Sequence, residues 1–155
     1  MRVFHPFDPI YNESSRVLIL GSFPSVRSRA DNFYYGHPQN RFWKLLAKLY
    51  GASALQTVDE KKAFLLQNGI ALWDVIASCE IENSSDQSIR QAVVNDLSEI
   101  FETADIRAIF LNGKAAYRLY RKYHENEAVC LPSTSPANAA WSMEKLEKAW
   151  SVILI

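Results

Sequence analysis

Cysteine is scarce in this chain of 155 residues. Cys79 and Cys130 are the only two, and no CxxC spacing occurs. That pattern excludes the common zinc frameworks and a four-cysteine iron–sulfur cluster, so both thiols are expected to be buried side chains in a reducing cytoplasm. Net charge is also lacking: 17 basic residues face 17 acidic ones. Without a global positive field, any contact with a polyanion has to come from a local patch. No apolar run reaches the roughly 20 residues of a membrane span. The opening MRVFHPFDP has neither the positive start nor the unbroken apolar stretch of a signal peptide. A cytoplasmic protein with no membrane partner is expected. Histidine is equally sparse, and His5, His37 and His124 are too dispersed to form a ligand motif. Neither a metal nor another cofactor is expected.

What is present suits one compact domain over residues 1–155, since 48% of the chain is hydrophobic and no repeat or low-complexity tract interrupts it. Arg16 to Leu20 ends in VLIL before Gly21, the signature of a buried parallel strand. A long loop to about Asn40 follows, then helices at Arg41 to Tyr50 and Val58 to Gln67, the latter stopped by Asn68 and Gly69. Further strands are predicted at Ile70 to Trp73, Ala108 to Leu111 and Ala128 to Leu131. Helices are predicted at Ser88 to Phe101, on an apolar face of Ile89, Ala92, Val93, Leu97, Ile100 and Phe101, at Gly113 to Tyr123, and at Met143 to Ala149. Trp150 to Ile155 reads either as a last strand or as an apolar tail. Alternating strands and helices imply an α/β fold of three layers, α/β/α, around a central, mainly parallel four-stranded sheet. Such sheets place ligands at the carboxyl ends of their strands. The loops to inspect are therefore GSFPS, DVIASCE, NGK and PSTSPAN.

The richest segment is Phe33 to Trp43, FYYGHPQNRFW, where aromatic rings, a Gly-His-Pro turn and an amide meet at a helix start. A core helix has no need of Phe33, Tyr34 and Tyr35 crowded before a glycine and a proline, so the segment reads as the lip of a binding site. The simpler alternative has Phe33 and Tyr35 filling the core while Asn40 caps the next helix. In GSFPS a glycine and a proline let backbone amides approach a ligand closely. The hydroxyls of Leu131 to Asn138, LPSTSPAN, suit either phosphate oxygens or a helix cap.

Taken in order, these segments resemble the uracil-DNA glycosylase superfamily. GSFPS stands at its first motif and PSTSPAN at its second, while HPQNRFWKLL and IFLNGKAAY resemble the helix entry and third strand of its mismatch-specific members. The pattern GSFPS, FYYGHPQNRFW and PSTSPAN is most similar to the hypoxanthine-DNA (deoxyinosine) glycosylase branch. The resemblance implies a monomeric, monofunctional base-excision enzyme acting on DNA with a deaminated base, without an iron–sulfur cluster. It also implies particular residues. The polar catalytic residue of uracil-specific members is replaced in the first motif by Phe23, and the histidine opening their second motif is replaced by Leu131. In the hypoxanthine branch the catalytic amide falls on Asn40 instead.

Asp74, in LWDVI, stands where uracil readers carry an asparagine. A carboxylate only accepts, so Asp74 suits the N1–H of hypoxanthine, with a helix cap as the alternative. Phe23, Phe33 and Tyr35 are candidate platforms for a flipped base, and Gly21 and Ser22 supply amides for the departing base. Ser133, Ser135 and Lys114 are the expected phosphate contacts, with Ala137 or Asn138 filling the gap left by flipping. Arg27 and Arg29 are further candidates for DNA, whereas Arg118, Arg121 and Lys122 read as a solvated face. A uracil or mismatched-thymine glycosylase, or a silent nucleic-acid-binding module on the same fold, are the alternative readings.

Overall fold

The computed structural model describes residues 2–82 and 85–155, with the backbone alone of Asp86. The VLIL run does form the central strand. β2 (Val17–Gly21) pairs in parallel with β3 (Ile70–Asp74) on one side and β6 (Ala108–Asn112) on the other, and β7 (Val129–Leu131) completes the order β3-β2-β6-β7. Every residue of β2 is buried, as expected of a strand covered on both faces. Val17, Ile19, Ile70, Leu72 and Phe110 meet the helices α2 (Phe42–Leu49), α3 (Val58–Gln67) and α6 (Met143–Trp150). Leu18, Leu20, Ala71, Ile109 and Leu111 face the opposite way, against α4 (Ser98–Thr103) and α5 (Lys114–Tyr123). The three layers follow from this alternation.

A second sheet was not foreseen. β1 (Arg2–Phe4) and β5 (Arg90–Val94) flank β4 (Ile76–Glu80) in antiparallel order β1-β4-β5. Two expectations fail here. DVIASCE is not a loop beyond its first residues, because Ile76, Ser78 and Cys79 turn inward on a strand paired along both edges. Ser88 to Phe101 is not one helix either: its first half joins the sheet as β5, Asn95 and Asp96 make the turn, and helix begins only at Ser98. Ile89, Ala92 and Val93 fell by coincidence at helical spacing with Leu97, Ile100 and Phe101, and pairing with β4 decided the conformation.

Smaller corrections follow the same logic. The stretch between Gly21 and Asn40 contains a short helix, α1 (Val26–Asp31), opened by Ser25 accepting from the Ser28 amide and closed by Asn32 in the left-handed region. Trp150 ends α6, and the tail makes a 3-10 turn at Ser151–Ile153 that buries Ile153. Cys79 is buried as expected, but Cys130 is exposed, since it lies on the edge strand β7. No helix among the described residues is long and apolar enough to cross a membrane.

Two tryptophans anchor loops at the carboxyl ends of the strands. The Trp43 indole donates to the Tyr34 carbonyl at 3.0 Å, and the Trp150 indole to the Pro132 carbonyl at 2.9 Å. Each ties a flexible connection to a ring already fixed in the core.

Candidate active site

A cavity of about 360 Å³ opens where β2, β3, β6 and β7 end, between the FYYGHPQN and PSTSPAN segments. Its size lies within the ~300–1,000 Å³ typical of small-molecule sites.

The floor is set by Gly21. It pairs with Asp74 in the parallel register, and the ladder continues past the strand end through the Val75 amide to the Gly21 carbonyl (2.8 Å) and the Ile76 amide to the Ser22 carbonyl (3.1 Å). A Cβ on Gly21 would sit 2.5 Å from Asp74 Oδ1 and 2.8 Å from the Tyr35 hydroxyl. The missing side chain thus lets a carboxylate and a phenol converge over bare backbone. Tyr35 itself takes a left-handed φ of 53° and stacks on Phe42, ring centroids 4.1 Å apart. A bulky residue held there is strained, and such strain collects at functional sites.

Asp74 is 3% exposed. Its Oδ2 lies 2.8 Å from His5 Nε2, which the N-terminal segment delivers from β1. Tyr34 is packed nearby, its hydroxyl donating to the Asp8 carbonyl at 2.7 Å. Burial first, and the Asp74 carboxylate second, push the Tyr34 hydroxyl well above the usual tyrosine range, so it stays a neutral donor.

The wall opposite is organised around Thr134, which is fully buried. The Thr134 amide donates to Asn112 Oδ1 (3.0 Å), and Asn112 Nδ2 donates to Thr134 Oγ1 (3.0 Å). Thr134 Oγ1 in turn donates to Asn40 Oδ1 at 2.9 Å. Asn40 Oδ1 also accepts from the Phe42 amide at 3.0 Å, satisfying a donor at the start of α2. The Phe42 N–H can only donate and so demands the oxygen, which fixes the amide orientation and leaves Nδ2 as the end for a ligand. Capping the helix and facing the cavity are therefore compatible in Asn40.

Arg41 holds the same wall from below. Its guanidinium donates to the carbonyls of Ser135 (3.1 Å), Asn138 (3.1 Å) and Trp141. Within the loop, Ser133 Oγ accepts from the Ser135 amide and Ser135 Oγ from the Ala137 amide, both at 3.1 Å. Each hydroxyl keeps its own proton to donate.

Residues 9–154 match the family model described as "Uracil DNA glycosylase superfamily". The chain belongs to that superfamily. Among its relatives, a protein named "Hypoxanthine DNA glycosylase" from Methanosarcina acetivorans is 35% identical over 151 residues, covering 95% of each chain. Another of the same name from Methanosarcina barkeri is 32% identical over 150 residues, covering 94% of each. A solution NMR structure of a candidate uracil DNA glycosylase from Methanosarcina acetivorans superimposes with a TM-score of 0.82 at 34% identity, over 99% of this chain and 97% of that one.

Against this uracil DNA glycosylase fold, the residues singled out from sequence separate clearly. Gly21, Ser22, Phe23, Tyr35, Asn40, Asp74, Ser133, Ser135 and Ala137 all line the cavity. Phe33 does not. It stacks on Trp43 in the core at 5.8 Å, so the simpler of its two readings holds. Asn138 is also off the lining and braces the loop by donating to the Ser133 carbonyl at 3.0 Å, while Lys114 lies exposed at the start of α5 outside the cavity. His37 lines the cavity. Arg27 pairs with Asp31 at 2.7 Å, and the Arg29 guanidinium lies 5.7 Å from the Phe23 ring centroid. The sequence reading missed Thr134, Asn112, Arg41 and His5. Asn112 ends β6 at the NGK loop and Thr134 lies within the PSTSPAN loop, so position alone could have flagged both. His5 carried no local signal, because its partner is 69 residues away.

Proposed function

We propose that this cavity receives a nucleotide flipped out of DNA and hydrolyses the N-glycosidic bond of deoxyinosine, releasing hypoxanthine and leaving an abasic site. The observation that carries the reading is the Asn40–Thr134–Asn112 chain at the strand ends, which presents an oriented amide donor to a cavity that holds one carboxylate among its described lining residues. The two relatives named hypoxanthine DNA glycosylase support the choice of base. Phe23 at the first motif and the buried Leu131 at the second disfavour uracil chemistry, since neither side chain can position water or hydrogen-bond a departing base.

In this reading Phe23 and Tyr35 supply ring faces for the purine, worth about 1–3 kcal/mol per stacked base. The C1′–N9 bond breaks with its electron pair leaving on the base, and amides of the Gly21–Phe23 turn stabilise that negative charge. Asn40 Nδ2 donates to the oxygen of the water that forms the new C1′–O bond. As a donor it positions this water without taking its proton, which passes to solvent. Ser133 and Ser135 hold phosphate, and Ala137 fills the vacated stack. Lys114 and Asn138 act from outside the cavity, as a backbone contact and as a brace. The enzyme acts as a cytoplasmic monomer without an iron–sulfur cluster and without a lyase step, the described residues that line the cavity including no lysine.

A duplex with one deoxyinosine, treated with alkali after incubation, tests the reading. Strand scission by the wild-type chain, and a loss of about 100-fold or more in Asn40→Ala under single-turnover conditions, is the expected result. Near-normal scission by Asn40→Ala would remove the role given to that amide. Selective binding without scission would leave a binding module.

A further inference from the structure

The His5–Asp74 pair is a buried side-chain contact at the cavity that the proposed reaction does not use, and its geometry bears on which bases are refused. Asp74 Oδ1 points over Gly21 at the floor, whereas Oδ2 is engaged by His5 Nε2 at 2.8 Å, with both side chains 5% exposed. A carboxylate offers only acceptors, so His5 donates in this contact, and the Phe7 amide facing Nδ1 at 3.5 Å agrees with a proton on Nε2. The imidazole has little freedom to turn away. Its edge-to-face neighbours Phe7 and Phe23 lie at 4.6 and 6.0 Å, Tyr34 at 6.1 Å, and its own amide donates to the Ala77 carbonyl at 2.8 Å.

We propose that His5 is a specificity-determining residue: by occupying Asp74 Oδ2 it leaves a single carboxylate oxygen for the base edge, which accepts hypoxanthine and rejects guanine. This rests on the reading of the cavity as a purine site. Guanine carries two adjacent donors on its Watson–Crick edge, N1–H and the N2 amino group, and a carboxylate with both oxygens free binds them side by side. Hypoxanthine differs only in lacking the amino group, so it needs one acceptor where guanine needs two. With Oδ2 taken, the guanine amino group meets a histidine N–H, donor against donor, and is buried unpaired. A missing partner of this kind is what lets polar sites discriminate strongly. Adenine is refused by the other oxygen, because its N1 is an acceptor facing an acceptor. Guanine is a normal constituent of DNA, so a purine glycosylase with an open carboxylate would attack undamaged sequence. Uracil presents one N–H on its edge too, and is not screened by this device.

The test uses the full-length protein and duplexes carrying non-cleavable 2′-fluoro-deoxyinosine or 2′-fluoro-deoxyguanosine, each opposite thymine, with base release from the cleavable counterparts measured in parallel. His5→Ala should lower the preference for deoxyinosine over deoxyguanosine by about tenfold or more. Comparing this ratio between proteins cancels the different cost of flipping the two bases. His5→Gln, whose side-chain amide reaches the same oxygen, should retain the wild-type ratio. If His5→Ala does not fold, His5→Ser replaces it, its hydroxyl being too short to reach Oδ2. An unchanged ratio in a folded His5→Ala or His5→Ser variant, even with both affinities reduced, would overturn the inference and leave His5 a structural residue. Wild-type binding that favours deoxyinosine, lost in His5→Ala, would support it even if no base were released from any duplex. That last outcome would sink the glycosylase reading alone.

Discussion

At the scale of single residues, the site depends on oxygen atoms that are already spoken for. In the proposed reaction Asn40 acts as a donor, because Thr134 and the Phe42 amide occupy its oxygen. Thr134→Val removes that hydroxyl, leaves the Asn40 oxygen held by the Phe42 amide alone, and leaves Asn112 Nδ2 without its acceptor in a part-buried contact. We expect a stability loss of about 1–3 kcal/mol from the stranded group, read by urea unfolding. A fall in base release of about tenfold is expected under conditions where the variant is fully folded. Unimpaired release by folded Thr134→Val would detach the chain from catalysis. Gly21→Ala tests the floor by addition: its methyl would meet Asp74 Oδ1 at 2.5 Å, so binding of a deoxyinosine duplex should weaken far more than thermal stability does. Equal losses in both would mean that the residue serves the fold alone. Which of these residues was legible depended on how far its partners lay. Asn40 stood in a turn-rich segment and Asp74 at the end of an apolar strand, each with a helix cap as its alternative, and both line the cavity. Phe33 looked the same in sequence as Tyr35, one residue past the intervening Tyr34, yet Trp43 claims one ring and the left-handed turn aims the other at the floor.

At the scale of elements, the PSTSPAN segment is a loop with the rigidity of secondary structure. The carbonyls of Ser135 and Asn138 within it, and of Trp141 just beyond it, converge on the Arg41 guanidinium, a planar fork with enough donors to serve three acceptors at once. Arg41→Lys keeps the charge and loses the fork. Amide exchange across residues 133–141 should accelerate in that variant, and affinity for a deoxyinosine duplex should drop, while exchange in β2 and β6 stays slow. Uniformly faster exchange would instead mark Arg41 as a residue of global stability. The parallel strands were readable because a buried strand needs an unbroken apolar run, and VLIL, IALW and AIFL each supply one. The antiparallel sheet was not. β4 mixes Ser78, Cys79 and Glu80 into its run, and β5 carries Gln91 at a φ of 52° with register shifts on β4. Their pairing with each other and with β1 stabilises strands that neither segment signals alone. That sheet also holds the N-terminal segment in place, which is how His5 reaches Asp74.

At the scale of the whole molecule, the chain brings no net charge to DNA. Recognition then rests on enclosure of one nucleotide and a few loop contacts, and the ionic-strength dependence should be shallow. We expect log K for a deoxyinosine duplex to fall with log salt with a slope no steeper than about −4, corresponding to about four phosphates neutralised. A slope twice as steep would reveal an extended basic track. The layered sheet and the superfamily match over residues 9–154 agree on the fold, and the cavity lies at the carboxyl ends of its parallel strands, where the proposed chemistry is placed. The most direct measurement identifies the product itself: purified protein is incubated with a mixture of duplexes carrying deoxyinosine, deoxyuridine or only normal bases, and the free bases released are identified by mass spectrometry. Hypoxanthine as the dominant product, with guanine and adenine absent, is the predicted result. Uracil in its place, or no free base from any duplex, would contradict the account.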